Sequence, residues 1–201
     1  MAHHRKNLWN ASPMLSIPMK EHIKEVQEEK RKVFLYTDGS YHCKLKIGCA
    51  AFVVVHKGRI KKKNFSVLNR ADGVTEVELI AIRNGLDYIS KRYGNVPVVL
   101  HTDSKTSIRF IESNDGPKKK NRAICRRLTS QINEIKLNVD YQWIKGHPVG
   151  IHLTKHHHYQ QMCDKMATSE MRKRAEEIKT EHNIQYFQKG CTYETAPRTD
   201  S

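Results

Sequence analysis

Nowhere in this chain do about 18 apolar residues run together, so no segment of it reads as a membrane-spanning helix. The opening stretch "MAHHRKNLWNASPMLS" lacks the apolar core of a secretory signal. Its basic start is followed by the acid-rich "KEHIKEVQEEKRK", which fits an organelle transit peptide poorly. Cysteine is sparse: Cys43, Cys49, Cys125, Cys163 and Cys191 are odd in number, scattered, and contain no C-x-x-C pair. That pattern argues against a disulfide framework and against a cysteine-rich zinc module, and it predicts a reducing, cytoplasmic compartment. Acidic residues are also in short supply, 21 against 36 Lys and Arg, leaving a net charge of +15 and a pI of about 9.7. Such an excess points to a polyanionic partner, most often nucleic acid.

At 201 residues the chain has room for one domain with a sizeable core and an arm at each end. Residues 1–30 read as an N-terminal arm, helical from about residue 18, and 183–201 as a loose tail. Between them, 31–182 carry the domain. "KVFLYTD" is an apolar run that meets a turn at "TDGS". "IGCAAFVVVH", the glycine turn "HKGR" and "RIKKKNFSVL" form two further strands of a meander. Leu79, Ile82, Leu86, Ile89 and Tyr93 recur at helical spacing and predict a helix over 75–93. "NVPVVLHTDS" predicts a fourth strand buried on both faces. "SKTSIRFIES" and "KKKNRAICRRLTSQINEIK" predict helices, "LNVDYQWIKG" a fifth strand, and 159–182 a last helix. The order predicts an α/β fold: a five-stranded mixed sheet, its first three strands antiparallel, flanked by helices.

Four acids fall at informative places. Asp38 and Asp103 each close an apolar strand-like run, which places both carboxylates at neighbouring strand ends of one sheet. On the first helix Glu78 lies roughly 60° from the centre of the apolar face and Glu76 roughly 100°, at about 100° per residue. Glu78 therefore tilts toward the sheet, while Glu76 belongs to the outer surface. Asp164 is expected to open the last helix, with Cys163 and Ala167 on its packing side. Carboxylates brought together repel, and proteins tolerate this mainly where a cation neutralises them. All-oxygen donors suit Mg²⁺, and two such ions about 3.5–4 Å apart assist phosphodiester cleavage.

The stretches "YTDGS", "EVELIAIRNGL", "LHTDS", "WIKGH" and "CDKMA" together resemble, in order and approximate spacing, the type 1 ribonuclease H family over about Val33 to Thr168. The resemblance implies the ribonuclease H-like fold and cleavage of the RNA strand of RNA–DNA hybrids, leaving 5′-phosphate ends. It also implies two Mg²⁺ ions, for which Mn²⁺ substitutes. By match to the family motifs, the metal-binding and catalytic acids are Asp38, Glu78, Asp103 and Asp164, and the loop histidine is His147. It implies nucleic-acid contacts at Gly39, Ser40, Thr75 and Lys105. The densest basic cluster, Lys118, Lys119, Lys120 and Arg122, is the candidate backbone-binding surface. A monomer is expected, its N-terminal arm available to a protein partner.

The chain departs from the family pattern at several points. The loop after "TDGS" is short, Val74 and Thr75 stand where paired asparagines are common, Lys105 replaces a polar amide, and the tryptophan-bearing protrusion is missing. These changes bear on how the 2′-hydroxyl is read and leave the acids intact. Alternatives therefore remain: an inactive nucleic-acid-binding module, a nuclease with another RNA or DNA substrate, or a zinc-binding adaptor. Sixteen residues separate His147 from Asp164, more than the family spacing, so a loop insertion is expected to carry His152 and His156, His157 and His158 as solvated residues.

Overall fold

The computed structural model describes residues 31–113, 122–146 and 153–190. A five-stranded sheet forms its middle layer: β1 (Val33–His42), β2 (Ile47–His56), β3 (Arg59–Leu68), β4 (Val98–Thr102) and β5 (Val139–Trp143), in the order β3-β2-β1-β4-β5. The helices are α1 (Val74–Tyr93), α2 (Lys105–Ser113), α3 (Arg122–Glu134) and α4 (Lys155–Gly190). The strands β1, β2 and β3 pair antiparallel, while β4 pairs parallel with both β1 and β5. The expected fold class is the one observed.

Alternation along the strands sorts side chains between the two layers of helix. Val33 and Leu35 of β1, with Phe52 and Val54 of β2, pack with α1 and α3 through Leu79, Ile82, Leu86, Leu128 and Ile132. Their neighbours Tyr36, Val53 and Val55 face the other way, onto Cys163 of α4. The strand period of two thus builds two cores from one sheet. As expected, all of β4 is buried. The β2–β3 hairpin turns on Lys57 and Gly58, both at positive φ (52° and 69°), the backbone sign of a type I′ turn. At the sheet edge, β3 presents exposed Lys61 and Lys63, a common defence against strand addition.

Three expectations about element ends are corrected. β1 does not turn at Asp38 but continues to His42, because Asp38 to His42 pair in register with Ala51 to Ile47 of β2. The parallel pairing with β4 ends earlier, at Tyr36 opposite His101. Asp38 is therefore mid-strand, yet just beyond the point where β1 and β4 part. The last helix begins at Lys155 rather than Tyr159, so Asp164 sits in its third turn rather than at its opening. Its far end is Gly190, beyond His182.

Helix α1 lies close to the sheet because Gly85 has no side chain: a Cβ there would stand 2.5 Å and 2.8 Å from the two methyls of buried Leu35. Replacing Gly85 by Val should overpack this contact and destabilise the fold by about 1–3 kcal/mol. Urea denaturation would read this as a lower midpoint with an unchanged slope.

Candidate metal centre and nucleic-acid site

Each acid reaches the site on a different element. Asp38 projects from β1 to the α4 side of the sheet's parting point, and its Oδ1 accepts the Gly39 N–H at 2.8 Å. Gly39 lets β1 press against the start of α1, since a Cβ would stand 2.9 Å from the Glu78 nitrogen. This close approach brings Glu78 to Asp38, and gives Gly39 a structural reason for being glycine. Glu76, by contrast, accepts the Asp72 N–H at 2.7 Å on the outer face, as its angular position predicts. Asp103 follows β4 directly and precedes Ser104, which caps α2 by accepting the Ser107 N–H at 3.3 Å. Its own carbonyl accepts the Trp143 indole N–H at 3.0 Å, tying it to β5.

One oxygen from each of Asp38, Glu78 and Asp103 can be chosen so that all lie within 4.8 Å of one another. Asp164 is outside this trio and lines the same pocket as Asp38 and Asp103. Helix α4 is pinned there by two bonds to β1: Gln160 donates to the Thr37 carbonyl at 2.9 Å, and the Cys163 thiol to the Tyr36 carbonyl at 3.2 Å.

The electrostatics of Asp38 and Glu78 are those of buried carboxylates close to one another. Burial first, and then the Asp103 carboxylate, push the Asp38 acid up to about 7. Burial, followed by Asp38 and Asp103, holds Glu78 well above the ordinary carboxylate range. The Glu78 Oε2 is buried and has no hydrogen-bond partner. A divalent cation fits this donor set: it would supply the missing partner for Oε2 and reverse the repulsion, and the oxygen-only chemistry favours Mg²⁺ or Mn²⁺ over a soft metal.

The other predicted contacts are spread more widely. Ser40 and Thr75 are half-buried on β1 and the first turn of α1. Lys105 is exposed at the start of α2, with its Nζ 4.0 Å from the centre of the Trp143 ring. Arg122 begins α3. His147, His152, Lys118, Lys119 and Lys120 lie outside the described residues.

The histidine-rich segment corrects its sequence reading. His156, His157 and His158 belong to the first turn of α4 rather than to a loop, and only His158 is exposed. His156 Nδ1 lies 2.7 Å from the Tyr36 hydroxyl, and its ring packs 4.6 Å from that of His101. His101, buried and stacked on Tyr36 at 4.9 Å, was missed because it sits inside an apolar strand run. Burial first and His156 second lower its pKa to about 4, so near neutrality it is an uncharged ring. Lys145, which also lines the pocket, was missed as well, although the "WIKGH" stretch contains it. Among the described residues, the carboxylate trio is the one group of three or more His, Cys, Asp or Glu side chains placed to hold a metal ion. A zinc site built on His156 to His158 is not among them.

The raised acids fix the sign of a pH dependence. Between about 4, where the unfolded carboxylates titrate, and about 7, where folded Asp38 does, the metal-free folded state holds more protons than the unfolded. Metal-free protein should therefore lose stability as pH rises through this window, by on the order of a few kcal/mol. Thermal midpoints across pH 4–8 should show the decline, a shallower one in Asp38→Asn, and its relief by Mg²⁺.

The RNase H family model matches residues 30–172. Among solved structures, the N-terminal RNase H domain of Rv2228c from Mycobacterium tuberculosis, in a fusion with maltose-binding protein, superposes with a TM-score of 0.59 at 18% identity. That alignment covers 73% of this chain and 98% of the other. RNase H1 from the halophilic archaeon Halobacterium salinarum aligns at 18% identity and a TM-score of 0.49, over 57% of this chain and 86% of the other. No curated protein sequence matches. With the family match extending over most of the chain, the chain belongs to the RNase H family.

Proposed function

We propose that this protein is a divalent-metal-dependent endonuclease that hydrolyses the RNA strand of RNA–DNA hybrids. The observation that carries the reading is the convergence of Asp38, Glu78 and Asp103 oxygens within 4.8 Å of one another in a chain of the RNase H family. Together with Asp164, these acids would hold two Mg²⁺ ions, for which Mn²⁺ substitutes. Ions bound there supply activation of the attacking water and stabilisation of the departing 3′-oxygen, giving a 5′-phosphate and a 3′-hydroxyl.

The chain's own groups divide the remaining work. Carboxylates on β1, on α1 and directly after β4 form an acidic floor, and Asp164 closes it from α4. Lys145, which lines the pocket, and Lys105, stacked over the Trp143 ring, offer positive charge to the backbone of the bound strand. By charge alone, the basic run Lys118, Lys119, Lys120 and Arg122 is assigned a further backbone-binding role, and His147 assists proton transfer or product release. The same reading takes 31–182 as the catalytic domain and leaves the N-terminal arm as an accessory contact.

One observation favours a second reading of the substrate. Val74, at the start of α1 where the family commonly has a groove-contacting asparagine, is half exposed and apolar. It offers no hydrogen bond to a minor groove, so the same chemistry would extend to hybrids with less strict reading, or to structured RNA.

Labelled hybrid, duplex RNA, duplex DNA and single strands, each incubated with the protein in Mg²⁺, distinguish these readings. Hybrid should be cut, and Asp38→Asn should reduce the rate by at least a thousandfold. Tight binding without cleavage by the wild type would make the chain a binding module. Cleavage that survives in Asp38→Asn would move the active site elsewhere. Affinity should fall with salt by about 0.9 log units per log unit for each phosphate contact.

A further inference from the structure

The pocket that holds the acids has one more polar wall, and it comes from the histidine-rich turn. His157 lines it together with Asp38, Asp103 and Asp164. It precedes Asp164 by seven residues on α4, a spacing that puts both on one face of the helix. Its ring is held in place from behind. His157 Nδ1 lies 3.2 Å from the Thr154 backbone nitrogen and 2.9 Å from the Thr154 hydroxyl. The His158 N–H bonds the Thr154 carbonyl at 3.3 Å, which makes Thr154 the N-cap of α4 and His157 its third residue. That is where Glu or Gln ordinarily reaches back to the N-cap N–H. Here an imidazole does so.

This cap fixes the tautomer. A backbone N–H can only donate, so Nδ1 is the acceptor and the proton of the uncharged ring is on Nε2. The nitrogen that His157 can offer the pocket is therefore a donor, beside carboxylates that can only accept while ionised. A phosphate oxygen needs such a donor, and the acids cannot supply it.

We propose that His157 is a further substrate-contacting residue of this site, donating its Nε2–H to a phosphate oxygen of the bound strand. The assignment rests on the nuclease reading and is separate from the role given to His147. It turns a helix cap into a positioning device, because the bond that starts α4 also orients the donor.

Two substitutions part the cap from the contact. Asn places its amide oxygen close to where Nδ1 stands and falls short of Nε2. Gln, extended, places its amide nitrogen near Nε2, and it serves the cap only by turning back from the pocket. His157→Asn should hold the thermal midpoint yet lower kcat/KM for hybrid cleavage roughly ten- to a hundredfold, the range for a hydrogen bond to a charged group. It should also weaken hybrid affinity measured by fluorescence anisotropy in EDTA. His157→Gln should recover part of both. Unchanged cleavage and affinity in His157→Asn would overturn the proposal. So would a loss in both variants that merely follows their thermal midpoints, since His157 would then be a cap alone. If the wild type cuts no hybrid, the nuclease reading fails, and the affinity comparison still decides the contact: weaker binding by His157→Asn sustains it, equal binding removes it.

Discussion

Three carboxylates, one oxygen of each held within 4.8 Å of the others, are the constraint around which this fold is organised. Left to themselves such groups would separate or neutralise. They are kept together because each is anchored by something that does not depend on it: Asp38 by the β1–β2 ladder, Glu78 by the buried face of α1, Asp103 by the join of β4 to α2. Gly39 and Gly146 remove the bulk that would keep these elements apart, since a Cβ on Gly146 would collide with the Asp103 carboxylate. The stability needed to hold the acids comes from the two cores on either side of the sheet.

Helix α4 is joined to the sheet through a mixed polar and aromatic seam. Gln160 and Cys163 bond backbone carbonyls of β1, and His156 meets Tyr36 and His101. These contacts set where Asp164 and His157 stand relative to the trio. The site thus draws on both faces of the sheet, at the point where β1 and β4 cease to pair. Ligand sites in open α/β sheets gather at such places because diverging strands leave room there.

Much of this was legible in the sequence, for reasons that can be named. Glu78 could be told from Glu76 because helical periodicity is strong over α1, and the outcome follows the angle. Asp38 and Asp103 were legible because apolar runs lead straight into them. The end of β1 was not, because Asp38 to Ser40 read locally as turn residues, and only their pairing with Ala51 to Cys49 of β2 keeps them in the strand. The start of α4 was hidden for a chemical reason: a histidine at the third helical position does the work of a glutamate, and no common pattern announces that. His101 was hidden too, because a buried histidine inside an apolar strand looks like any other strand residue until its stacking partners are known.

The central claim is that the buried acids form a cation site whose protons leave as the ion arrives. Isothermal titration of Mn²⁺ into the 201-residue chain near pH 7, repeated in two buffers of different ionisation enthalpy, tests it directly. The account predicts saturable binding with net proton release, since Asp38 titrates at about 7 and Glu78 is held above its usual range, and loss of both in Glu78→Gln. Saturable binding without proton release, or binding that Glu78→Gln leaves intact, would contradict it.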